Sequence, residues 1–208
     1  MTVRLHRGDL PDLSRYTDSV AIDTETMGLR PHRDRLCVVQ MSNGDGSADV
    51  VQIPKGLGKA LADSPHLKAL LTNPKVTKIF HFARFDLAAI EHYLGVTAAP
   101  VFCTKIASKL VRTYTDRHGL KDLVREVLNI DLSKQQQSSD WGGAVLSDAQ
   151  LEYAASDVRH LHAMHAILVE RLAREGRTAI AQACFDFLPS RARLDLAGWP
   201  ENDIFSHL

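Results

Sequence analysis

Short apolar segments recur in the first half of the chain, and each is bounded by polar or turn-forming residues. Residues 19–22 form an apolar run that ends at Asp23, a pattern typical of a buried strand with a charged residue at its edge. Residues 36–42 and 48–53 are two further strand-like runs, and the sequence Asn-Gly-Asp-Gly-Ser at 43–47 has the composition of a tight turn. This spacing predicts an antiparallel meander of three strands.

Apolar positions return at helical spacing after the meander. Residues 58–71 are predicted to form a helix that an Asn-Pro pair then ends. Residues 76–81 follow as a fourth strand, and residues 84–94 as a helix closed by Gly95. Strands that alternate with helices in this way are typical of an α/β sheet.

The second half of the chain is predominantly helical. Helices are predicted over residues 105–111, 120–128, 147–175 and 178–187. Ser147 and Gln150 have the spacing of a capping box at the start of the longest one. Residues 133–143 are polar and contain glycine, which predicts a surface loop. The whole chain, 1–208, is therefore expected to be one α/β domain with helices on the sheet faces and a short C-terminal extension at 189–208.

Composition excludes several classes of protein. The chain has 208 residues, which is enough for one domain with a real core. Lys plus Arg and Asp plus Glu number 25 each, so attraction to nucleic acid must come from local patches or bound cations. Three separated cysteines outside any CxxC pair indicate neither a disulfide framework nor a zinc finger. Without an apolar run of membrane length, we expect a soluble protein of the cytoplasm that binds no membrane.

Two carboxylates follow the first predicted strand. Asp23 and Glu25 are two residues apart, and the period of a strand sends both side chains to the same side. Such a pair can hold one cation, although the DxE pattern is also common on protein surfaces. Burial at the end of an apolar strand favours the cation, because two buried acids are costly without compensation.

A third carboxylate lies where the fourth strand passes into a helix. The segment runs from His81 to Asp86, and Phe85 is positioned to pack beneath the acid. An aspartate at this point is equally consistent with an ordinary helix cap.

A tyrosine and a fourth acid share one helix face. Tyr153 and Asp157 are four residues apart, which places the phenol beside the carboxylate. Ala154 and Ala155 allow this helix to lie close to the sheet. Taken alone, the pair is typical of a buried tyrosine bonded to its neighbour. The presence of all three acidic segments in one small domain favours a metal-dependent nuclease instead.

These segments resemble the three exonuclease motifs of the DEDD superfamily, in its tyrosine-bearing branch, and most closely those of ribonuclease D. The likeness extends over residues 20–164 and includes the loop segment 134–141. It implies a ribonuclease H-like fold with a mixed sheet. Ribonuclease D usually has Arg-Pro where this chain has Ala144 and Val145, and Asp where it has Cys103. Classical ribonuclease D continues into helical HRDC domains, and we expect none in a chain of this length.

The resemblance also implies two divalent cations, Mg²⁺ or Mn²⁺, because all the ligands are oxygen atoms. Asp23, Glu25 and Asp157 would hold the first cation, and Asp23 with Asp86 the second. Tyr153 has an ordinary pKa near 10, so it is expected to orient the attacking water rather than to remove its proton.

An exonuclease must also hold the last nucleotide without reading its base, through stacking and backbone contacts. The candidate contacts lie within the first two motif segments and in the loop ahead of the third. They are Thr24, Met27, Leu29, His81, Phe85, Lys134, Gln137 and Trp141. Met27 and Leu29 are predicted as an apolar wedge against the terminal base, and Trp141 as a pocket wall, a stacking contact for a base or a core residue.

Three functions remain open at this level. The first is a 3′-5′ exoribonuclease that releases nucleoside 5′-monophosphates from single-stranded RNA. The second is the same chemistry on single-stranded DNA, because the contact to the 2′-hydroxyl that selects RNA is not visible in sequence. The third, an inactive nucleic-acid-binding domain, is disfavoured by four acids that such a domain would not need. No protein partner is predicted.

Overall fold

A computed structural model describes residues 2–55, 63–133 and 135–207, and its centre is a six-stranded mixed sheet. The strands are Val3–Arg7 (β1), Ser19–Thr26 (β2), Leu36–Ser42 (β3), Ala48–Gln52 (β4), Thr77–Phe80 (β5) and Val101–Cys103 (β6). The helices are Pro65–Thr72 (α1), Ala83–Leu94 (α2), Thr104–Val111 (α3), Leu120–Leu128 (α4), Asp148–Arg159 (α5), Leu161–Arg174 (α6) and Thr178–Ala197 (α7).

The strand order is β1-β4-β3-β2-β5-β6. The predicted antiparallel meander is confirmed as β2, β3 and β4, while β1, β5 and β6 join by parallel pairing. Every residue of β3 and β4 is buried, because elements of the fold cover both faces of the sheet there. Helix α5 packs against β2, β3 and β4, and this contact positions the site described below.

The prediction of a single helix over residues 147–175 is wrong in one respect, because the chain forms two helices there. Helix α5 ends at Arg159 and α6 begins at Leu161, and His160 between them is the cap residue of both helices (φ −98°, ψ −5°). The two helices have different partners, since α5 lies on the sheet and α6 packs against α3. The predicted capping box is confirmed: Ser147 Oγ accepts from Gln150 N at 3.2 Å, and Gln150 Oε1 accepts from Ser147 N at 3.0 Å.

The last helix is longer than predicted. Helix α7 continues past residue 187 and through Pro189 to Ala197, so the expected C-terminal extension begins inside a helix. Packing of α7 against α2 stabilises the added turns, and Arg84 on α2 forms a 2.6 Å ion pair with Asp195. These tertiary contacts offset the hydrogen bond that proline removes from a helix.

Two short strands, β1 and β6, were not among the strands located from sequence. The predicted helix over residues 58–71 is described only from residue 63, and α1 begins at Pro65. Residues 56–62 and Lys134 lie outside the described residues. In the described part of the chain, no helix combines the length and the apolar character that crossing a membrane requires.

Candidate active site

Three carboxylates from two different elements meet on one face of the sheet. Asp23 and Glu25 project from β2, and Asp157 projects from α5 above them. One carboxylate oxygen from each lies within 4.8 Å of the others. Ala154 and Ala155 are fully buried, and their small side chains allow α5 to approach the strands closely. We call Asp23, Glu25 and Asp157 the acidic cluster.

Asp86 lies beside the acidic cluster, in the first turn of α2, and is 3% exposed. Its Oδ1 accepts a 2.7 Å hydrogen bond from Thr24 Oγ1 on β2. The negative charge of Asp86 also raises the pKa of Asp23, which places the two acids within electrostatic reach. Asp86, the third predicted acid, is therefore joined to the strand that carries Asp23 and Glu25.

The pKa values of all four acids are raised above their ordinary range. Burial is the largest cause for Asp23, followed by the charges of Asp86 and Asp157. Burial and the same two neighbours raise the pKa of Glu25 to about 9. Burial also raises the pKa values of Asp86 and Asp157 to about 7. One buried and three half-buried acids that repel one another disfavour their own ionisation.

This arrangement fits divalent cations. A half-buried group of carboxylates with raised pKa values lacks the positive charge that would stabilise its ionised form. All of the candidate ligand atoms of the acidic cluster are oxygen atoms. Oxygen ligands are those that Mg²⁺ and Mn²⁺ prefer in proteins. The acidic cluster can therefore hold a metal ion.

Tyr153 precedes Asp157 by one turn of α5 and is half-buried. Its ring centroid lies 6.0 Å from that of Trp141, with an angle of 43° between the planes. Burial raises the pKa of Tyr153 above its ordinary value, and the charges of Asp157 and Glu25 raise it further. The phenol is therefore neutral near pH 7 and can donate a hydrogen bond.

The structure places three other predicted contacts along the rim of the site or under it. Trp141 is only 2% exposed and belongs to an apolar cluster beneath α5, so it supports Tyr153 rather than presenting a free ring. Met27 is 50% exposed and Leu29 82% exposed, just past the end of β2. Two apolar side chains are thus available to a ligand at this rim.

His81 and Phe85 have different surroundings. His81 Nδ1 lies 2.9 Å from Thr104 Oγ1, and burial lowers the pKa of its ring to about 3, so the ring is neutral. Phe85 is half-buried, whereas Phe82, which sequence did not single out, is 45% exposed. Gln137 is exposed on the polar loop.

Two further residues near the site were missed from sequence. Gln40 Nε2 donates a 2.6 Å hydrogen bond to Asp23 Oδ2. Arg35 Nη2 donates to Gly142 O at 3.1 Å and so ties the polar loop to the start of β3. The signal for Gln40 was present, because an amide in the middle of an otherwise apolar strand needs a buried partner.

Comparison with known proteins defines the class to which this site belongs. The 3′-5′ exonuclease family matches residues 10–173, which is most of the chain. Ribonuclease D of Gluconacetobacter diazotrophicus is 37% identical over 158 residues, which cover 76% of this chain and 39% of that protein. The chain belongs to the 3′-5′ exonuclease family. It spans about two fifths of the length of the ribonuclease D relatives that it matches first.

Solved structures agree with this assignment. NrnC of Brucella melitensis with bound Mg²⁺ is 61% identical with a TM-score of 0.94, and NrnC bound to pGG is 62% identical with a TM-score of 0.95. Each match covers 100% of both chains. Escherichia coli RNase D is 25% identical, with a TM-score of 0.74 over 86% of this chain and 46% of that one. The fold is the ribonuclease H-like fold of these exonucleases.

Proposed function

We propose that this chain is a metal-dependent 3′-5′ exoribonuclease of the tyrosine-bearing DEDD branch. It hydrolyses phosphodiester bonds at the 3′ end of single-stranded RNA and releases nucleoside 5′-monophosphates. The observation that carries the proposal is the convergence of Asp23, Glu25 and Asp157 within 4.8 Å. A tyrosine one helical turn from Asp157 completes the residue set of that branch.

The cations of this site are Mg²⁺ or Mn²⁺. Asp23, Glu25 and Asp157 would hold one, and Asp23 with Asp86 the other. When bound, such a pair of ions lowers the pKa of the attacking water and stabilises charge on the leaving oxygen. The matching NrnC was solved with bound Mg²⁺, which supports magnesium as the first ion to test.

The chain's own residues supply position and hydrogen bonds. Tyr153 is neutral, so its hydroxyl is suited to orient the attacking water and unsuited to act as a phenolate base. Its ring is supported by Trp141, which limits the directions in which the hydroxyl can point. Thr24 restrains the Asp86 carboxyl through its side chain, and its backbone is the candidate contact to the terminal ribose.

The terminal nucleotide lies against the rim formed by Met27 and Leu29. Both side chains are exposed at the end of β2, where an apolar surface can contact any base without reading its identity. Residues His81, Phe85, Lys134 and Gln137 are the further candidate contacts to sugar and phosphate. The enzyme works in the cytoplasm, where single-stranded RNA ends are available.

Short RNA is a substrate of particular interest. NrnC, which matches this chain over its full length, was solved bound to pGG. We therefore include pGG among the substrates of this chain, alongside longer single-stranded RNA.

The test compares digestion of matched 5′-labelled single-stranded RNA, single-stranded DNA and pGG, each with Mg²⁺, Mn²⁺ or EDTA. Wild type is run beside Asp23→Asn. We expect metal-dependent shortening of RNA from the 3′ end and none with the variant. Preference for DNA would instead support the alternative function, a 3′-5′ exonuclease that acts on single-stranded DNA. Absence of digestion in every condition would leave only a nucleic-acid-binding role.

A further inference from the structure

Gln40 is a fully buried amide in the middle of β3. It lies directly opposite Asp23 in the antiparallel pairing of β2 with β3, and its Nε2 donates a 2.6 Å hydrogen bond to Asp23 Oδ2. In an antiparallel pair, residues directly opposite each other project to the same face. The amide is therefore aimed at the acidic cluster by strand register rather than by a flexible loop.

The oxygen of this amide differs from its nitrogen, because it has no hydrogen-bond partner among the described residues. Gln40 Oε1 is buried without a hydrogen bond to any of the residues that the structure describes. A buried amide with one unsatisfied atom costs free energy, and the neighbouring positions Val39 and Met41 show that the strand accepts apolar residues. The stability of the sheet alone thus gives no reason for glutamine at this position.

The hydrogen bond has a direct consequence for Asp23. It engages one carboxylate oxygen and restrains rotation of the carboxyl group, so the second oxygen keeps a defined direction. Asp23 is the acid assigned to both cations under the proposed function. Hydrogen bonds that orient ligand carboxylates strengthen metal binding, because less ordering is needed when the ion arrives.

We propose that Gln40 is a positioning residue that orients the Asp23 carboxylate for divalent cations. The inference rests on the proposed function only for the identity of the cation site. Gln40 contacts neither substrate nor reacting atoms, and it acts through Asp23.

The first test measures Mg²⁺ binding to the whole protein by calorimetry, without nucleic acid. Loss of the amide in Gln40→Met should weaken Mg²⁺ binding by about 10- to 100-fold, the usual effect of removing a partner of a metal ligand. Gln52→Met is the matched control. Gln52 is a buried glutamine on the adjacent strand β4, but it donates to the backbone oxygen of Gly143 at 3.0 Å. Wild-type Mg²⁺ affinity in Gln40→Met would overturn the proposal.

Thermal melting separates positioning from a purely structural role. Mg²⁺ that binds only the folded protein raises its melting temperature, so the difference between Mg²⁺ and EDTA reports the cation site. We expect this difference to shrink in Gln40→Met and to persist in Gln52→Met. If Gln40→Met melts below wild type by the same amount in Mg²⁺ and in EDTA, Gln40 supports only the stability of the sheet and the proposal is overturned.

A second variant keeps the proposal testable if Gln40→Met does not fold. Gln40→Asn keeps an amide but is too short to reach Asp23 in the present backbone, so it should also weaken Mg²⁺ binding. Wild-type affinity in a folded Gln40→Asn would overturn the proposal as well. The Mg²⁺ titration uses no RNA, so its result is independent of the digestion assay. Failure of wild type to digest RNA would overturn the proposed function while leaving the effect of Gln40 measurable.

Discussion

Thr24 Oγ1 donates a 2.7 Å hydrogen bond to Asp86 Oδ1, and this bond connects strand β2 to the first turn of helix α2. The two residues are 62 positions apart in the chain. The hydroxyl stabilises the ionised carboxylate and opposes the effect of burial, which raises the pKa of Asp86 to about 7. Thr24 therefore contributes through its side chain as well as through its backbone.

Replacement of Thr24 by valine tests this contact with little change of shape. Loss of the hydroxyl should raise the pKa of Asp86 further, so activity at neutral pH should fall and recover as the pH is raised. The unfolding free energy should decrease by about 1–3 kcal/mol, because a buried acceptor loses its donor. A pH–rate profile with chemical denaturation measures both effects. Thr72→Val, at an exposed helix end, should change neither.

Asp86→Asn should abolish turnover while the protein remains folded. Asparagine keeps the oxygen that accepts from Thr24 but removes the negative charge. We expect a loss of roughly 10³-fold or more in kcat, because a carboxylate that holds a catalytic cation supports several kcal/mol of transition-state stabilisation. Asp122→Asn, an exposed acid in the first turn of α4, is the matched control and should retain activity. Unchanged cleavage by Asp86→Asn would contradict the two-cation assignment.

The stability of the metal-free protein should depend on pH in a characteristic direction. Folding raises the pKa values of Asp86 and Asp157 to about 7 and that of Glu25 to about 9. The folded protein then binds more protons than the unfolded chain, so these groups stabilise it most below about pH 4 and lose that contribution as the pH rises through about 7 to 9.

Melting temperatures measured in EDTA should therefore fall between about pH 5 and about pH 9, and saturating Mg²⁺ should reduce the fall. Asp157→Asn removes one of the groups whose pKa is raised by folding. The melting temperature of this variant in EDTA should therefore depend less on pH than that of wild type. An identical slope in wild type and Asp157→Asn would show that the acidic cluster does not control the pH dependence.

Two adjacent glycines provide a test of the apolar rim. A Cβ added at Gly142 would overlap Sδ of Met27, whereas a Cβ at Gly143 would find its nearest atoms at 3.6 and 3.7 Å. Neither glycine has a positive φ, so alanine strains neither backbone. Gly142→Ala should displace the flexible Met27 side chain and raise KM for RNA several-fold at unchanged melting temperature. Gly143→Ala should match wild type in both measurements, and equal KM values for the two variants would remove Met27 from the substrate site.

Features set by neighbouring residues could be predicted from the sequence. The three-strand meander follows from short apolar runs, two of them separated by a tight turn, and the start of α5 follows from the capping box of Ser147 and Gln150. The shared side of Asp23 and Glu25 likewise follows from the geometry of a single strand. Local backbone geometry is sufficient for each of these features.

Features that depend on residues distant in the chain were decided by the tertiary structure. The break at His160 has no sequence signal, because both flanking segments are helical and only their packing partners differ. The same applies to α7 beyond Pro189, which packing against α2 stabilises.

The same distinction between local and tertiary features applies to the candidate site. The sequence by itself determined which acids are present and which of them are neighbours on one element, since those relationships are local. Strand pairing and helix packing decided that Asp157 meets Asp23, and that Gln40 bonds to Asp23. Such contacts join residues far apart in the chain, and the free energy that selects them comes from burial and hydrogen bonding across the whole fold, which no local pattern contains.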